Sequence, residues 1–452
     1  MKLDSNVILV LGAGISGIGA AKLILGVGGD IILYDGNRNI KEKDIIEQIG
    51  SEEGSVRFVS GELTDDILNE VALCVVSPGI SLETLEVQKI LEADIAVIGE
   101  LELAYQTAEG NIVAITGTNG KTTTTALVGE IMQHYFKEVF VVGNIGTPYA
   151  DVSTLTTKDS HTVIEVSSFQ LETTHEFRPN VSAILNLTPD HLDRHITMEN
   201  YLAAKLRIAE NQTKEDILVI NYDDEKLVNA TKELKPKLLY FSSKSKLEKG
   251  VYLDNGEIIY NSGLSKNKLC NVKELKLMGT HNYENVMAAI AITVSVGVPI
   301  SVISEAIKEF ESVEHRIEYV LKKDGVMYYN DSKGTNPDAG IKAIKAMDRP
   351  TLLIAGGYDK DSDFSEWIKA FKGKVRQLVL IGQTRDKIAA AAKKEGYTNV
   401  IYAGNLEEAV RICYAYAMPG DAVLLSPACA SWGMFKNYEQ RGNLFKEYVH
   451  NL

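Results

Sequence analysis

The sequence is short of cysteine and has no long uncharged apolar run, and each shortage excludes a class of protein. Its four cysteines lie far apart without a C-x-x-C pair, so we expect a reducing compartment and neither a disulfide framework nor a cysteine zinc site. The apolar run Val7–Leu11 follows Asp4 and is broken at once by glycines, which is unlike a signal peptide. Because no stretch is long enough to span a bilayer, we expect a soluble, cytoplasmic protein.

Basic residues are also in deficit. Lysine and arginine number 47 against 61 aspartates and glutamates, which gives a formal net charge of -14. Binding to nucleic acid or to an anionic membrane depends on lysine and arginine, so neither partner is expected. A small anionic substrate in a locally basic pocket remains compatible with this charge. The expected partners are small molecules, and a monomer is expected.

At 452 residues the chain is too long for one ordinary domain. Short apolar runs alternate with helical patterns, which predicts parallel sheets flanked by helices. The predicted fold class is α/β with three domains in series. They are an N-terminal Rossmann-like domain (1–98), a central P-loop-type, ATPase-like α/β domain (99–312) and a C-terminal Rossmann-like α/β domain (313–452).

The strand predictions follow the apolar runs. They are 7–11, 31–34, 57–59 and 73–76 in the first domain, 112–115, 139–142, 162–166, 181–187 and 217–220 in the second, and 326–330, 351–355, 377–381, 400–402 and 422–425 in the third. Residues 225–275 are lysine-rich and predict only a peripheral hairpin region, and residues 311–319 are predicted to join the last two domains.

The clearest functional signal is the segment 111–125, N-I-V-A-I-T-G-T-N-G-K-T-T-T-T. An apolar β-type run, a glycine-punctuated turn and a helix-compatible run follow one another, as in a phosphate-binding loop. Gly117 and Gly120 let backbone N–H groups approach an anion at the positive end of the new helix. Lys121 would reach the β- and γ-phosphates, and the Thr122 hydroxyl would bind Mg2+. Although a glycine-rich turn with an exposed lysine is the alternative, we predict ATP binding.

A second glycine-rich turn favours a competing hypothesis. Residues 12–17 read G-A-G-I-S-G, which fits the G-x-G-x-x-G fingerprint, and Asp35 follows at the end of the second strand. Taken alone, this pattern indicates a dinucleotide-dependent oxidoreductase. The fingerprint itself, however, requires only a phosphate or sugar near a helix N-terminus. The oxidoreductase hypothesis also leaves the 116–123 loop unexplained. Residues 77–79 end another strand at the same predicted edge, where ligands of open α/β sheets bind.

Polar residues follow several predicted strands of the central domain. Glu165 closes one strand, and an acidic strand end beside a phosphate loop is a usual second anchor for Mg2+; the alternative is a solvated carboxylate. His191 follows Asp190 after the next strand, where it is either functional or an ordinary hydrogen-bonded loop histidine. Lys205 lies in a helical stretch, 198–211, where spacing alone indicates a surface lysine.

Further polar groups flank the last domain. Asn282 and Asn285 precede an alanine-rich helix predicted over 286–296, one helical turn apart, so that two amides could face one planar ligand; helix N-capping is the alternative for Asn282. Three predicted strands of the C-terminal domain end in polar segments. These are D-S-K-G-T-N-P at 331–337, G-G-Y-D-K at 356–360 and S-P-A-C-A-S at 426–431. We expect all three segments to lie at one sheet edge.

Together these motifs resemble the Mur ligase family. In the central domain the resemblance rests on T-G-T-N-G-K-T-T (116–123), G-N-I-G (143–146), E-V-S-S-F-Q-L (165–171) and N-L-T-P-D-H-L-D-R-H (186–195). It extends through H-R-I-E (315–318), D-S-K-G-T-N-P-D-A (331–339), G-G-Y-D-K (356–360), L-S-P-A-C-A-S (425–431) and F-K-N-Y-E-Q-R-G (435–442). The resemblance covers nearly the whole chain, and D-S-K-G-T-N is most like the branch of the family that adds D-glutamate.

The resemblance implies an ATP-dependent ligase that adds D-glutamate to UDP-N-acetylmuramoyl-L-alanine through an acyl phosphate, in cytoplasmic peptidoglycan precursor synthesis. It also implies two Mg2+ ions, a carbamylated Lys205 acting as a metal ligand, and domain closure to assemble the site. The implied catalytic residues are Lys121, Glu165, His191 and Lys205. The implied metal-binding residues are Thr122, Glu165, His191 and Lys205.

The resemblance further assigns the substrate contacts. The implied ATP-binding residues are Gly117, Thr118, Asn119, Gly120, Lys121, Thr122, Thr123, Thr124, Asn282, Asn285, Arg316 and Asp331. The implied UDP-substrate residues are Ser16, Asp35, Arg38, Ser77, Pro78, Gly79 and Asn144. The D-glutamate side, whose two carboxylates need cationic and hydroxyl partners, would be formed by Lys333, Thr335, Lys360, Ser431 and Tyr438.

Three other functions stay open at this point. The first is the dinucleotide-dependent oxidoreductase, and the second is a nucleotide-gated binding module without chemistry. The third is a folate-polyglutamate-type ligase, which D-S-K-G-T-N and L-S-P-A-C-A-S disfavour.

Overall fold

The computed structural model of the chain describes residues 7–50, 56–144, 146–277, 279–311, 314–359 and 361–452. These residues form three sheets with their helices, arranged in two units. One unit contains the chain up to Asn271 together with Asn285–Ile307, and the other contains Val272–Glu284 together with Lys308–Leu452. The predicted domain boundaries at 98/99 and 312/313 stay predictions, and residues 312 and 313 lie outside the described residues.

The first sheet is parallel throughout, with strand order β3-β2-β1-β4-β5. Its elements are β1 (Val7–Leu11), α1 (Ile15–Gly26), β2 (Asp30–Asp35), α2 (Glu42–Ile49), β3 (Arg57–Ser60), α3 (Asp65–Leu68), β4 (Val71–Val76), α4 (Leu85–Glu92) and β5 (Ala96–Gly99). Successive residues of β1 enter two different hydrophobic cores, Ile8 and Val10 on one face and Leu9 and Leu11 on the other. A strand buried on both faces must be apolar along its whole length, which explains the run V-I-L-V-L.

The central sheet has nine strands in the order β14-β13-β12-β11-β10-β9-β6-β8-β7. Its strands are β6 (Asn111–Thr116), β7 (Val139–Gly143), β8 (His161–Glu165), β9 (Val181–Ile184), β10 (Ile217–Asn221), β11 (Lys237–Ser242), β12 (Gly250–Asp254), β13 (Glu257–Asn261) and β14 (Lys266–Asn271). Its helices are α5 (Glu100–Thr107), α6 (Lys121–Gln133), α7 (Ser168–Leu171), α8 (Leu192–His195), α9 (Met198–Leu206) and α10 (Glu225–Thr231), followed by α11 (Thr280–Ser295) and α12 (Ile300–Glu309).

The central region confirms one prediction and differs from two. The peripheral hairpin predicted within residues 225–275 is β12 paired with β13, near one edge of the sheet, with β14 beyond it and β11 joining it to β10. β9 ends at Ile184, three residues earlier than predicted, because the backbone of Asn186 turns to bind the phosphate loop. α11 begins at Thr280, six residues before the predicted start, so Asn282 is the third helical residue and not an N-cap.

The C-terminal sheet has strand order β15-β16-β20-β17-β18-β19. Its elements are β15 (Glu318–Lys323), β16 (Val326–Asn330), α13 (Pro337–Ala346), β17 (Thr351–Ala355), α14 (Ser365–Lys369), β18 (Val375–Leu380), α15 (Arg385–Lys394), β19 (Val400–Tyr402), α16 (Leu406–Tyr416), β20 (Ala422–Leu425) and α17 (Tyr438–His450). All pairings are parallel except β15 with β16. The edge strand β15 was not predicted, since residues 311–319 were expected only to join two domains.

The strand order confirms that the polar ends of the third domain meet. β16, β20 and β17 are neighbours, and the segments that follow them are joined by hydrogen bonds. The Ser426 hydroxyl donates to Oδ2 of Asp331 at 2.8 Å, and the Gly356 N–H donates to the carbonyl of Pro427 at 2.9 Å. In the described part of the chain, no helix has both the length and the apolar character needed to cross a membrane.

The turn between β1 and α1 is closed by two glycines of the fingerprint. Gly12 has φ +99°, and a Cβ on Gly17 would lie 1.8 Å from the Gly12 carbonyl oxygen. Gly14, in contrast, has nothing within 4 Å of an added Cβ. The first glycine therefore makes the turn, Gly17 lets the helix pack against it, and Gly14 leaves the backbone open to a ligand.

Gly17→Ala is expected to destabilise the first unit by about 3 kcal/mol, because the methyl group cannot be accommodated without shifting the turn. Gly26→Ala is the matched control, since it lies in the same helix with nothing within 4 Å of an added Cβ and gains helix propensity. Urea unfolding curves of the two variants and the wild type measure the difference. Equal midpoints for both variants would contradict the packing argument.

Candidate functional site

The loop between β6 and α6 has the geometry of an anion-binding site. β6 ends at Thr116 and α6 begins at Lys121. Gly120 stands before the helix at φ +87°, and a Cβ on it would lie 2.2 Å from Oδ1 of Asn285. Only glycine fits there, for both conformational and steric reasons. The first turn of α6 directs its N–H groups and its positive dipole end at this loop, as phosphate binding requires.

The segment after β9 clamps the phosphate loop from one side. The Asn186 side chain pairs with both backbone groups of Asn119: its Oδ1 accepts from the N–H at 2.9 Å and its Nδ2 donates to the carbonyl at 2.9 Å. The Thr118 hydroxyl accepts from the Thr188 N–H at 3.0 Å, donates to the Thr188 carbonyl at 3.1 Å and meets the Tyr201 hydroxyl at 3.3 Å. Sequence reasoning missed Asn186 and Thr188 as individual site residues. The available signal was their position after a strand that neighbours β6.

Two lysines converge on one carbonyl of the loop. Lys121 Nζ lies 2.8 Å from the Gly117 carbonyl oxygen, and Lys205 Nζ lies 3.0 Å from the same atom. The prediction of a surface lysine is wrong, because Lys205 is only 1% exposed and its ammonium lies over the Tyr201 ring at 4.6 Å. Burial, and then the positive charge of Lys121, lower the pKa of Lys205 well below its ordinary value. Lys205 is therefore a candidate neutral amine inside the site.

Glu165 offers an oxygen that the protein itself does not use. Its Cα pairs with that of Ile115 across β6 and β8, next to the phosphate loop, and it is only 1% exposed, so the solvated alternative is wrong. Oε1 accepts a hydrogen bond from Asn144 Nδ2 at 3.0 Å. Oε2 is buried and has no hydrogen-bond partner among the described residues. An orphaned carboxylate oxygen at this place fits a hard cation such as Mg2+.

The remaining threonines of the loop–helix junction are all buried. Thr122 is 4% exposed, and the side-chain hydroxyls of Thr123 and Thr124 are buried without a partner within the described ranges. The described residues contain no cluster of three or more His, Cys, Asp or Glu side chains of the kind that binds a metal. Magnesium is usually held by one or two carboxylates together with substrate phosphates, and the donors here fit that pattern.

His191 lies at the exposed rim of this region. It precedes α8 with φ +54°, a conformation uncommon outside glycine, asparagine and aspartate. Its N–H donates to Oδ1 of Asp190 at 3.0 Å, and its ring, 40% exposed, packs edge-on against Phe169 at 4.9 Å. The ring is therefore accessible, and its role in metal binding stays a prediction.

His195 is the buried member of the same motif. Its Nε2 lies 2.9 Å from the Ser168 hydroxyl, and its Nδ1 lies 3.4 Å from Oε1 of Glu172. Burial, with the positive charge of Arg194 next, lowers the pKa of His195 to about 4. The Glu172 carboxylate is also paired with Arg194, whose Nη2 lies 2.5 Å from its Oε2. His195 is thus neutral at pH 7, and both of its ring nitrogens face side chains of the same region.

Asp35 has a different use from the one that a dinucleotide fingerprint implies. Its Oδ2 accepts from the Ala13 N–H and its Oδ1 from the Asn37 N–H, both at 2.9 Å. The carboxylate therefore binds the glycine turn and its own following turn. Ser77 donates to the Gly12 carbonyl at 3.3 Å and thus also supports this turn.

The other proposed UDP contacts surround the same edge of the first sheet. Ser16 lies in the first turn of α1 and is half-buried, and Arg38 and Gly79 are exposed. Pro78, which is half-buried, uses its carbonyl to accept a hydrogen bond from Arg194 of the central region at 2.7 Å.

In the C-terminal unit a buried arginine joins the polar segments. Arg441 is fully buried; its Nη2 donates to the Ser332 carbonyl at 2.7 Å and its Nη1 to the Cys429 carbonyl at 3.2 Å. Lys333 Nζ lies 5.2 Å from the centre of the Tyr438 ring. Sequence reasoning missed Arg441, although it lies in the F-K-N-Y-E-Q-R-G motif.

Other predicted D-glutamate residues belong to the same segments. The Thr335 N–H donates to the Lys333 carbonyl at 2.9 Å, and Ser431 is buried with its carbonyl accepting from the Phe435 N–H at 3.1 Å. Lys360 lies outside the described residues. The structure thus places Lys333, Thr335, Ser431 and Tyr438 at the carboxyl edge of the C-terminal sheet.

The predicted nucleotide-base contacts are divided between the units. In the first, the Asn285 amide lies against Gly120. In the second, burial raises the pKa of the Asp331 carboxyl to about 7, although the positive charge of Arg316 acts to lower it. Arg316 lies between two residues with strained backbone, since His315 has φ +63° and Ile317 has φ +48°. Asn282 is buried in the first turn of α11.

Family models match three successive parts of the chain. The Mur ligase MurD-like N-terminal domain matches residues 6–99, the Mur ligase middle domain matches 115–293, and the Mur ligase glutamate ligase domain matches 315–429. The chain is 54% identical over 446 residues to a UDP-N-acetylmuramoylalanine–D-glutamate ligase of Lachnoclostridium phytofermentans, covering 98% of each. It is 53% identical over 452 residues to the ligase of the same name from Lachnospira eligens, covering 100% of each.

Solved structures of related ligases share the fold. UDP-N-acetylmuramate-alanine ligase of Thermotoga maritima superposes with a TM-score of 0.62 at 19% identity, covering 99% of each chain. MurF of Acinetobacter baumannii gives 0.63 at 16% identity, covering 94% of this chain and 91% of the other. At such identities the similarity establishes the three-domain α/β architecture.

The depressed pKa of His195 predicts a pH-dependent stability. Between its ordinary value of about 6.5 and about 4, the unfolded chain binds a proton at this residue that the folded chain does not. The unfolding free energy therefore falls as the pH drops through this window. Relative to His195→Gln, the wild type is expected to lose about 3 kcal/mol more between pH 7 and pH 4. Urea unfolding across this range measures it, with His450→Gln at an exposed histidine as the control; parallel curves for all three proteins would contradict the assignment.

Proposed function

This chain belongs to the Mur ligase family, and from that premise we propose that the loop between β6 and α6 holds the triphosphate of ATP beside the acid that the reaction activates. The chain is an ATP-dependent ligase of peptidoglycan synthesis that joins D-glutamate to UDP-N-acetylmuramoyl-L-alanine. One observation carries the proposed reaction chemistry: the buried, partnerless Oε2 of Glu165 lies one strand from that loop. Such an oxygen is suited to a metal–triphosphate complex.

The chemistry explains why a nucleotide is required. A carboxylate does not condense with an amine in water, because its negative charge repels the nucleophile and oxide is a poor leaving group. Transfer of the γ-phosphoryl group to the carboxylate of the UDP substrate gives an acyl phosphate. The amine of D-glutamate then attacks the acyl carbon and phosphate leaves. Phosphoryl transfer depends mainly on positioning and charge neutralisation, which is what the loop residues supply.

The phosphate loop is built for positioning. Gly117, Thr118, Asn119 and Gly120 would line the triphosphate, with Thr122, Thr123 and Thr124 in the first turn of α6. The N–H groups of Thr118 and Asn119 donate to Asn186, which fixes the shape of the loop. The ammonium of Lys121, now on the carbonyls of Gly117 and Thr118 at 2.8 and 3.0 Å, needs only a side-chain rotation to neutralise the β- and γ-phosphates. The clamp by Asn186 keeps the loop in place during that movement.

Magnesium has a donor set that fits it. The chemistry that Mg2+ would supply here is neutralisation of charge on the phosphoryl group being transferred. Thr122 and Glu165 would hold the ion at the triphosphate, and Asn144 fixes the Glu165 carboxylate through Oε1. His191, whose ring is accessible, would hold a second ion toward the incoming carboxylate.

Lys205 is the residue for which we propose a covalent modification. Its pKa is lowered by burial and by Lys121, so the neutral amine is available to attack CO2. The amine nitrogen adds to the carbon of CO2, one C=O π bond becomes a lone pair on oxygen, and the nitrogen loses a proton to solvent. The neutral amine thereby becomes a carbamate anion. We propose that this carbamate serves as a metal ligand beside Gly117.

The two substrates would bind at the carboxyl edges of the outer sheets. Ser16, Arg38, Ser77, Pro78 and Gly79 would face the uridine diphosphate group, with Asp35 acting through the glycine turn that it holds and Asn144 reaching the muramoyl part. Lys333, Thr335, Lys360, Ser431 and Tyr438 would bind the carboxylates of D-glutamate. Asn282, Asn285, Arg316 and Asp331 would bind the adenosine part. We further propose that the enzyme acts as a monomer in the cytoplasm.

The competing hypotheses account for less. A dinucleotide-dependent oxidoreductase leaves the 116–123 loop unexplained and gives no role to the buried Oε2 of Glu165. A binding module without chemistry gives no role to the orphaned oxygen of Glu165. A folate-polyglutamate-type ligase shares the loop but not the D-S-K-G-T-N segment.

A phosphate-release assay tests the proposal directly. With ATP, Mg2+ and UDP-N-acetylmuramoyl-L-alanine, release is expected with D-glutamate and not with L-glutamate, L-lysine or glycine. Lys121→Ala is expected to reduce release by about 1,000-fold or more, because the phosphate charge is no longer neutralised. Its affinity for the UDP substrate, measured by calorimetry, should stay within a few-fold of wild type. Comparable turnover in the variant would remove Lys121 from the mechanism.

The carbamate predicts a specific label. Protein equilibrated with 13C-bicarbonate is expected to show a protein-bound carbamate resonance that Lys205→Arg lacks, since a guanidinium does not form this adduct. Ligase activity of the variant should fall by about 100-fold or more, because a metal ligand is lost. A bare ammonium at Lys205 under bicarbonate would refute the carbamate.

A further inference from the structure

Arg194 connects two parts of the chain that are far apart in sequence. Its Nη1 donates to the Pro78 carbonyl at 2.7 Å and its Nη2 to the Ile80 carbonyl at 3.2 Å, both in the turn that follows β4. The same Nη2 lies 2.5 Å from Oε2 of Glu172. Its side chain is only 13% exposed. One guanidinium thus holds the turn of residues 77–80 to the central region.

The interaction needs an arginine and not merely a positive charge. A guanidinium presents several N–H donors in a fixed plane, so it can reach two carbonyls and a carboxylate at once, whereas an ammonium is a single point of donation. The Phe169 ring lies 4.2 Å from the Arg194 guanidinium carbon and supports its orientation. The orientation of the Arg194 guanidinium is therefore fixed by two carbonyls, one carboxylate and one aromatic ring.

The opposite end of this contact reaches the catalytic region. Arg194 follows His191 by three residues in the same motif, and Phe169, which stacks on Arg194, also packs against the His191 ring. Glu172, the partner of Arg194, faces His195 through its second oxygen. The turn and the proposed metal-side segment therefore share one packed network.

We propose that Arg194 is a positioning residue that fixes the 77–80 turn against the metal-side segment, so that the UDP end of the substrate is held in register with its reacting carboxylate. This rests on the proposed function, which places the UDP group at that turn and the metal near His191. Arg194 is not a catalytic residue in this account, because it acts through the turn. Its loss should therefore affect the UDP substrate and not ATP.

A matched control separates this role from general stabilisation. Arg207 is also an arginine of the central region that binds backbone carbonyls: its Nε donates to Leu171 at 2.7 Å and its Nη2 to Thr174. These carbonyls flank Glu172 but lie outside the 77–80 turn. Arg207→Lys should therefore show any loss of local packing without a loss of register.

The experiment compares Arg194→Lys, Arg207→Lys and Glu172→Gln in the full chain. For Arg194→Lys, KM for UDP-N-acetylmuramoyl-L-alanine is expected to rise about 10- to 100-fold, as expected for lost charge-assisted hydrogen bonds, while KM for ATP stays within about two-fold. Glu172→Gln keeps Arg194 but removes the charged partner that orients its guanidinium plane. This variant should give a smaller rise in KM for the UDP substrate. Arg207→Lys should leave both constants unchanged.

Hydrogen exchange on the protein without substrates gives a readout that is independent of the reaction. The N–H groups of Ile80 and Thr84 bond to the carbonyls of Ser77 and Ser81, and they are expected to exchange faster in Arg194→Lys than in Arg207→Lys. Faster exchange with unchanged KM would overturn the register proposal while leaving the contact. Equal exchange in both variants, or equal rises in KM for ATP and the UDP substrate, would overturn the positioning role. Absence of phosphate release by the wild type would instead refute the proposed function.

Discussion

The proposed chemistry of this chain depends on two amino groups that share one acceptor. Lys121 and Lys205 both reach the carbonyl oxygen of Gly117, at 2.8 and 3.0 Å. Burial, and then the positive charge of Lys121, lower the pKa of Lys205, so this geometry favours its neutral amine. The loop that bears Gly117 is itself held by two hydrogen bonds between Asn186 and Asn119.

Much of the fold could be predicted because its signals are local. A strand buried on both faces needs a continuous apolar run, and the runs at 7–11, 326–330, 351–355, 400–402 and 422–425 coincide with strands. The phosphate loop was equally accessible, since strand, glycines and lysine follow one another within ten residues. The convergence of polar segments on one edge of the C-terminal sheet followed from parallel pairing alone.

The features that sequence reasoning missed or misjudged depend on contacts between distant residues. The spacing around Lys205 is that of an ordinary amphipathic helix, and nothing in it reveals that the side chain ends inside the phosphate loop. The same holds for Asn186, whose side-chain amide pairs with the backbone of Asn119, 67 residues earlier in the sequence. It also holds for Arg194, whose guanidinium donates to the carbonyl of Pro78, 116 residues earlier. Edge strand β15 shows no regular alternation of apolar and polar residues, because its side chains are all half-buried or exposed.

The inward-turned carboxylate of Asp35 has a consequence for how such folds diversify. The strand order, the glycine turn and the acidic position are those expected of a dinucleotide-binding domain. In such a domain the acidic residue accepts a hydrogen bond from a ribose hydroxyl, whereas here backbone N–H groups occupy one acceptor site on each oxygen of Asp35. An attempt to build ribose recognition on this scaffold would therefore begin at Ala13 and Asn37, whose N–H groups compete for that carboxylate.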